Sequence, residues 1–162
     1  MPAPVLPLAE LAALLPVRGS LIGLDLGTKT IGVAASDPDR RLAAGVETIG
    51  RKSFSTDVKR LGILARERRV VAFVLGLPLN MDGTEGPRAQ SARAFARNLA
   101  RTIEIPIGLW DERLSTAAAE RELIAADMSR SRRAAVIDQH AAAYILQGAL
   151  DRLRRISAEI KK

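Results

Sequence analysis

Apolar runs interrupted by turn-forming residues dominate the first fifty positions, and the pattern predicts strands near residues 20–26, 30–36 and 42–49. Gly27-Thr28 has the composition of a hairpin turn between the first two, and Asp37-Pro38-Asp39 that of a turn between the second and third. Together they describe an antiparallel meander. From about Thr56 the period lengthens: Val58, Leu61, Ile63, Leu64 and Ala65 fit one face of a helix ending in the basic cluster Arg66 to Arg69. Val70 to Leu75 is a continuous, β-branched run of the kind expected in a strand buried on both faces. The segment Gly76 to Pro87 reads as a loop, with Thr84 positioned to cap a helix that runs to about Arg101. Ile105 to Trp110 reads as a fifth strand, Ser115 as the cap of a helix to about Ala126, and Ser129 to Ile160 as one or two further helices. Leu8 to Leu15 reads as a short helical extension. The expected class is α/β: a five-stranded mixed sheet flanked by helices, a three-strand antiparallel meander followed by parallel strands. Residues 1–19 form an extension to a single domain spanning 20–162, without repeats or low-complexity linkers.

Composition narrows the chemistry. The chain of 162 residues has no cysteine and one histidine, which removes disulfides, thiolate zinc sites, cysteine nucleophiles and multi-histidine metal sites. Aromatic residues make up only 3%, too few for a stacking platform of the single-strand-binding type. The formal net charge is +7, carried mostly by arginine, which favours phosphate-rich partners through bidentate contacts and counterion release. No apolar stretch reaches the length of a membrane span, and the apolar, proline-punctuated opening lacks the basic start of a signal peptide. A cytoplasmic protein is expected. Carboxylates and hydroxyls remain as the chemically active groups.

Asp25 stands out among them, because it occupies the interior of a short apolar strand directly ahead of a glycine turn. An ionised carboxylate buried there without a partner would cost several kcal/mol, so it should face a cation, a donor array or a wet cleft. In an open α/β sheet, ligands gather outside the carboxyl ends of the parallel strands. Asp25 ends the first strand, the Gly76 to Thr84 loop leaves the fourth, and Asp111-Glu112-Arg113 leaves the fifth. Ala134, Asp138, Ala141, Ile145 and Ala149 fall on one helical stripe, where small alanines would let the helix carry Asp138 toward Asp25. Oxygen donors without His or Cys suit Mg²⁺ or Mn²⁺, and two such ions about 4 Å apart would clamp an in-line phosphoryl displacement. Thr84 and the helix start behind it could hold a phosphate, and Lys29, Arg113 and Arg133 are candidate phosphate contacts. Asp82 and Gly83 read as turn residues, Ser115 and Thr116 as caps, and His140 as a packing or surface residue.

Four ordered strings carry a family resemblance: Gly23-Leu24-Asp25-Leu26-Gly27-Thr28-Lys29 with Ile31 to Ala34; Gly76 to Pro87; Asp111-Glu112-Arg113-Leu114-Ser115-Thr116; and Val136 to Ala142 with Ile145-Leu146-Gln147. Over about residues 20–152 the chain resembles the YqgF family, also called RuvX. The resemblance implies an RNase H-like fold and a metal-dependent nuclease that matures the 5′ end of pre-16S rRNA, a family earlier likened to Holliday junction resolvases. It implies Asp25, Glu112 and Asp138 as the catalytic and metal-binding acids, with Asp111 as the alternative to Glu112, since a regular strand can turn only one of the two to the site. In that expectation Asp25 bridges two ions and the other acids complete one shell each. The partner would be structured RNA, and the protein a monomer or homodimer. Thr30 stands where the family often has arginine, and Arg130, Arg132 and Arg133 supply the basic positions before Asp138.

Two other readings use the same residues. Asp25-Leu26-Gly27-Thr28 is similar to the phosphate-binding hairpin of the actin, Hsp70 and sugar-kinase superfamily, but that machinery needs a second related domain for which this chain has no room. A DNA junction resolvase, or a binding module whose acids are structural, is the remaining alternative. Loss of Asp25 or Asp138 separates a nuclease from a binder.

Overall fold

A computed structural model describes residues 2–114 and 130–160, and for 130–135 the backbone alone. The expected helix from Ser115 to Ala126, with Ser115 and Thr116, lies outside the described residues. The strands are β1 (Val5–Pro7), β2 (Ser20–Leu26), β3 (Thr30–Ser36), β4 (Ala43–Gly50), β5 (Val70–Leu77) and β6 (Ile107–Asp111). The helices are α1 (Leu8–Leu11), α2 (Phe54–Glu67), α3 (Pro87–Ile103) and α4 (Arg130–Ile160). The sheet has six strands, in the order β1-β6-β5-β2-β3-β4.

The meander β2-β3-β4 is antiparallel, and β1, β6, β5 and β2 run parallel to one another. The extra strand is the one correction to the expected architecture. Val5, Leu6 and Pro7 pair with Ile107, Gly108 and Leu109 and extend the sheet at its β6 edge. The turn of helix that follows buries Leu8 and Leu11. Leu11 packs where Gly108 has no side chain: an added Cβ would sit 2.6 Å from its Cδ2.

Each face of the sheet has its own core. Alternate residues of β2 and β5 divide between them: Ile22, Leu24, Phe73 and Leu75 join α2 and α3 on one face, while Leu21, Ala72 and Val74 join α1 and α4 on the other. Both strands are buried almost throughout, which explains the unbroken apolar run from Val70 to Leu75. Ser53 caps α2 by accepting the Thr56 N–H. Gly86 caps α3 without a side-chain bond and Pro87 opens it, so Thr84 is not the cap expected of it. Among the described residues, no helix is long and apolar enough to cross a membrane.

Candidate active site

Asp25 projects from β2 onto the α4 face, the same side as Leu21 and Gly23, and its residue is 6% exposed. Its cross-strand partner is Gly32 on β3. The missing side chain at Gly32 is what brings the last helix down, because an added Cβ would lie 2.0 Å from the main-chain oxygen of Asp138. On the other side of Asp25, Gly76 follows Leu75, the register partner of Leu24. A Cβ at Gly76 would lie 2.5 Å from Glu112 Oε1 and 2.7 Å from Ile145 Cδ1. Two glycines flanking Asp25 therefore admit Glu112 from one side and the Asp138 turn of α4 from the other. Asp25, Glu112 and Asp138 thus lie toward the same end of the sheet.

The choice between Asp111 and Glu112 turns on where β6 stops. The strand ends at Asp111 and a single 3-10 turn, Glu112–Leu114, begins at once, so the alternation of a regular strand no longer applies. Asp111 is gripped by Arg113, whose Nε and Nη2 donate to its carboxylate at 3.0 and 2.7 Å. That grip, with the Arg113 N–H behind it, holds the Asp111 carboxyl below the usual carboxylate range and raises Arg113 above its own. Glu112 is the residue whose side chain reaches Gly76.

Arg113 also donates from Nη1 to the Met81 carbonyl at 3.0 Å. Its guanidinium thus braces the end of β6 against the Asn80 to Gly86 loop. Within that loop Thr84 donates its hydroxyl and its N–H to Asp82 Oδ1, at 2.6 and 3.0 Å, and Asn80 donates to the Thr84 hydroxyl. The Thr84 bonds hold the Asp82 carboxyl below its ordinary range. Asp82 is a turn residue, as its setting predicted. Lys29 is exposed at the hairpin tip. The tip is fixed from behind by Arg51, which donates to the Gly27 carbonyl through its side chain and to the Lys29 carbonyl through its N–H. The side chain of Arg133 lies outside the described residues. His140 is exposed.

Thr30 is the residue that sequence reasoning did not place. Its hydroxyl donates to Asp138 Oδ2 at 2.7 Å, across 108 residues of chain. No local pattern announces such a bond.

Whether these acids suit a divalent cation divides into donor chemistry and spacing. An all-oxygen set on a rigid sheet suits a hard ion. In the arrangement described, though, no group of three His, Cys, Asp or Glu residues comes together closely enough to hold one, among the described residues.

Residues 19–152 match the family described as "RuvX: Holliday junction resolvase". The chain belongs to the RuvX family. A relative from Rhodopseudomonas palustris (strain TIE-1), named "Putative pre-16S rRNA nuclease", is 74% identical over 153 residues, covering 94% of this chain and 96% of the relative. One of the same name from Bradyrhizobium sp. (strain BTAi1) is 73% identical over 153 residues, covering 94% and 95%. Among solved structures, this RuvX chain is similar to T. thermophilus RuvC in complex with a Holliday junction substrate, with TM-score 0.51 at 11% identity, covering 89% of this chain and 97% of that one. A yeast mitochondrial Holliday junction resolvase gives TM-score 0.50 at 11% identity, covering 93% and 86%. At such identities the likeness establishes the RuvC-like, RNase H-like fold of this RuvX protein.

Proposed function

We propose that this protein is a cytoplasmic, metal-dependent nuclease that hydrolyses phosphodiester bonds in structured RNA and processes the 5′ end of pre-16S rRNA. The observation that carries the reading is that Gly76 and Gly32, on the strands either side of Asp25, admit the Glu112 side chain and the Asp138 turn of α4. Relatives about three-quarters identical carry a pre-16S rRNA nuclease name, and the net charge of +7 suits an RNA partner.

In this reading Asp25, Glu112 and Asp138 would hold Mg²⁺ or Mn²⁺, which when bound neutralises charge on the phosphate under attack. The chain's own residues set the geometry. The β2-β3 hairpin fixes Asp25, the 3-10 turn after β6 presents Glu112, and Thr30 orients Asp138. Lys29, at the hairpin tip, and Arg133 contact phosphates. Arg113 and Thr84 are the further candidate phosphate contacts, and both are also engaged within the protein, Arg113 with the Met81 carbonyl and Thr84 with Asp82.

The test is cleavage of a 5′-extended pre-16S rRNA by wild type, Asp25→Asn and Asp138→Asn, with Mn²⁺, Mg²⁺ or EDTA, beside calorimetric titration of Mn²⁺. Cleavage and Mn²⁺ binding that both vanish in folded variants support the reading. Equal trace cleavage by all three proteins, with equal RNA binding, reduces the protein to a binding module.

A further inference from the structure

A cavity of about 480 Å³ lies between β4 and the face of α4 just beyond Asp138. Its volume is in the range of about 300–1,000 Å³ typical of small-ligand sites. The proposed chemistry makes no use of it. The wall on the β4 side is Ala43, Ala44 and Gly45, and the α4 side presents Gln139, His140 and Tyr144. The two walls are tied together. Gln147 accepts the Ala43 N–H at 2.9 Å and donates to the Arg41 carbonyl at 3.0 Å, and Gly45 lets the helix approach so closely that a Cβ there would lie 3.0 Å from Gln139 Cβ.

The lining combines the one histidine and the one tyrosine of the chain with a side-chain amide. No carboxylate is among the described lining residues. A flat ring, an imidazole and an amide match a planar heterocycle edged with donors and acceptors. The place is also right. Gln139 directly follows Asp138, and Tyr144 lies six residues on, about 9 Å of helix rise.

We propose that this cavity holds one unstacked nucleobase of the RNA strand, next to the phosphate at the acid cluster. Tyr144 provides the stacking face, and Gln139 and His140 bond the base edge. The inference rests on the reading of the protein as acting on RNA. A continuous platform is ruled out by the scarcity of aromatic residues, but one base needs one ring.

The experiment is fluorescence anisotropy in EDTA, with a labelled single-stranded RNA of about twelve nucleotides. Tyr144→Ala should weaken binding by about 5- to 150-fold, the span of stacking on one ring, while Tyr144→Phe should stay near wild type. Scanning an abasic nucleotide along the RNA should find a position that weakens wild type by the same factor and leaves Tyr144→Ala unaffected. A folded Tyr144→Ala variant that binds like wild type overturns the inference, as do abasic losses that simply add to the mutation. If Tyr144→Ala does not fold, the double variant Gln139→Ala/His140→Ala takes its place, and unchanged RNA affinity in it overturns the inference equally. The two readings fail separately. Metal-dependent cleavage with Tyr144-independent binding sinks only the base site, and Tyr144-dependent binding without cleavage sinks only the nuclease.

Discussion

Replacing Gly32 by alanine tests the idea that a missing side chain, and no specific bond, sets the approach of α4 to Asp25. The added Cβ would lie 2.0 Å from the Asp138 carbonyl oxygen, against about 3.4 Å or more for ordinary contact. The helix would have to retreat by about 1.4 Å, because a main-chain carbonyl cannot rotate away as a side-chain tip can. Overpacking of this kind costs about 1–3 kcal/mol, and contact with backbone places it at the upper end. For a chain of this length each kcal/mol moves Tm by about 2–4 °C, so a drop of about 6–12 °C is expected. Displacing a catalytic group by about 1 Å can cost about 100-fold in rate, so cleavage should fall further than stability does. Gly62→Ala on α2 is the control. Nothing lies within 4 Å of that Cβ, and exchanging a helix-interior glycine should stabilise by about 0.5–1 kcal/mol. Differential scanning calorimetry of both variants, with rRNA cleavage, reads the result. A Gly32→Ala protein melting within about 2 °C of wild type and cleaving at the wild-type rate would refute the close-approach argument.

Thr30→Val removes the hydroxyl from Asp138 and should cost about 1.5–3 kcal/mol, the worth of a hydrogen bond to a charged group, while Thr30→Ser should restore most of it in urea unfolding. Leu11→Ala should cost about 2–5 kcal/mol by opening a cavity beneath β6, whereas Leu14→Ala, at a residue 51% exposed, should stay within about 0.5 kcal/mol; chemical denaturation compares them. Arg113→Ala should destabilise most near neutral pH. Asp111 is held below its unfolded value by Arg113, so the pair's contribution is complete above that value, about 3.9, and is lost as pH falls through the lower folded one. The Tm gap between wild type and Arg113→Ala should therefore shrink below about pH 4, and a gap independent of pH would show that the arginine acts only as a packing brace.

The meander and the two-sided strand β5 were legible because their patterns are local: turn residues at Gly27 and Asp37, and an unbroken β-branched run from Val70. Asp25 was legible for the same reason, as a charge where a strand should be apolar. β1 was not. The three residues Val5 to Pro7 show no alternation, and their partner begins about a hundred positions later. The choice between Asp111 and Glu112 was closed to a strand argument because the strand stops between them. Thr84 looked like a cap from spacing alone, but Asp82 competes for its hydroxyl and N–H and draws it into the loop. Nothing local shows that the Met81 carbonyl will come within reach of Arg113.

The pairing of β1 with β6 also orders events in time. The ribosome makes Val5 to Pro7 about a hundred residues ahead of Ile107 to Leu109, to which they bond. At about 5–20 residues per second, β1 waits on the order of 5–20 s for its partner to be synthesised. The meander β2-β3-β4, whose contacts are local, can form in that interval. β1 thus settles only after the meander that follows it in the chain, and until it does the β6 edge of the nascent sheet is open to any other strand that passes.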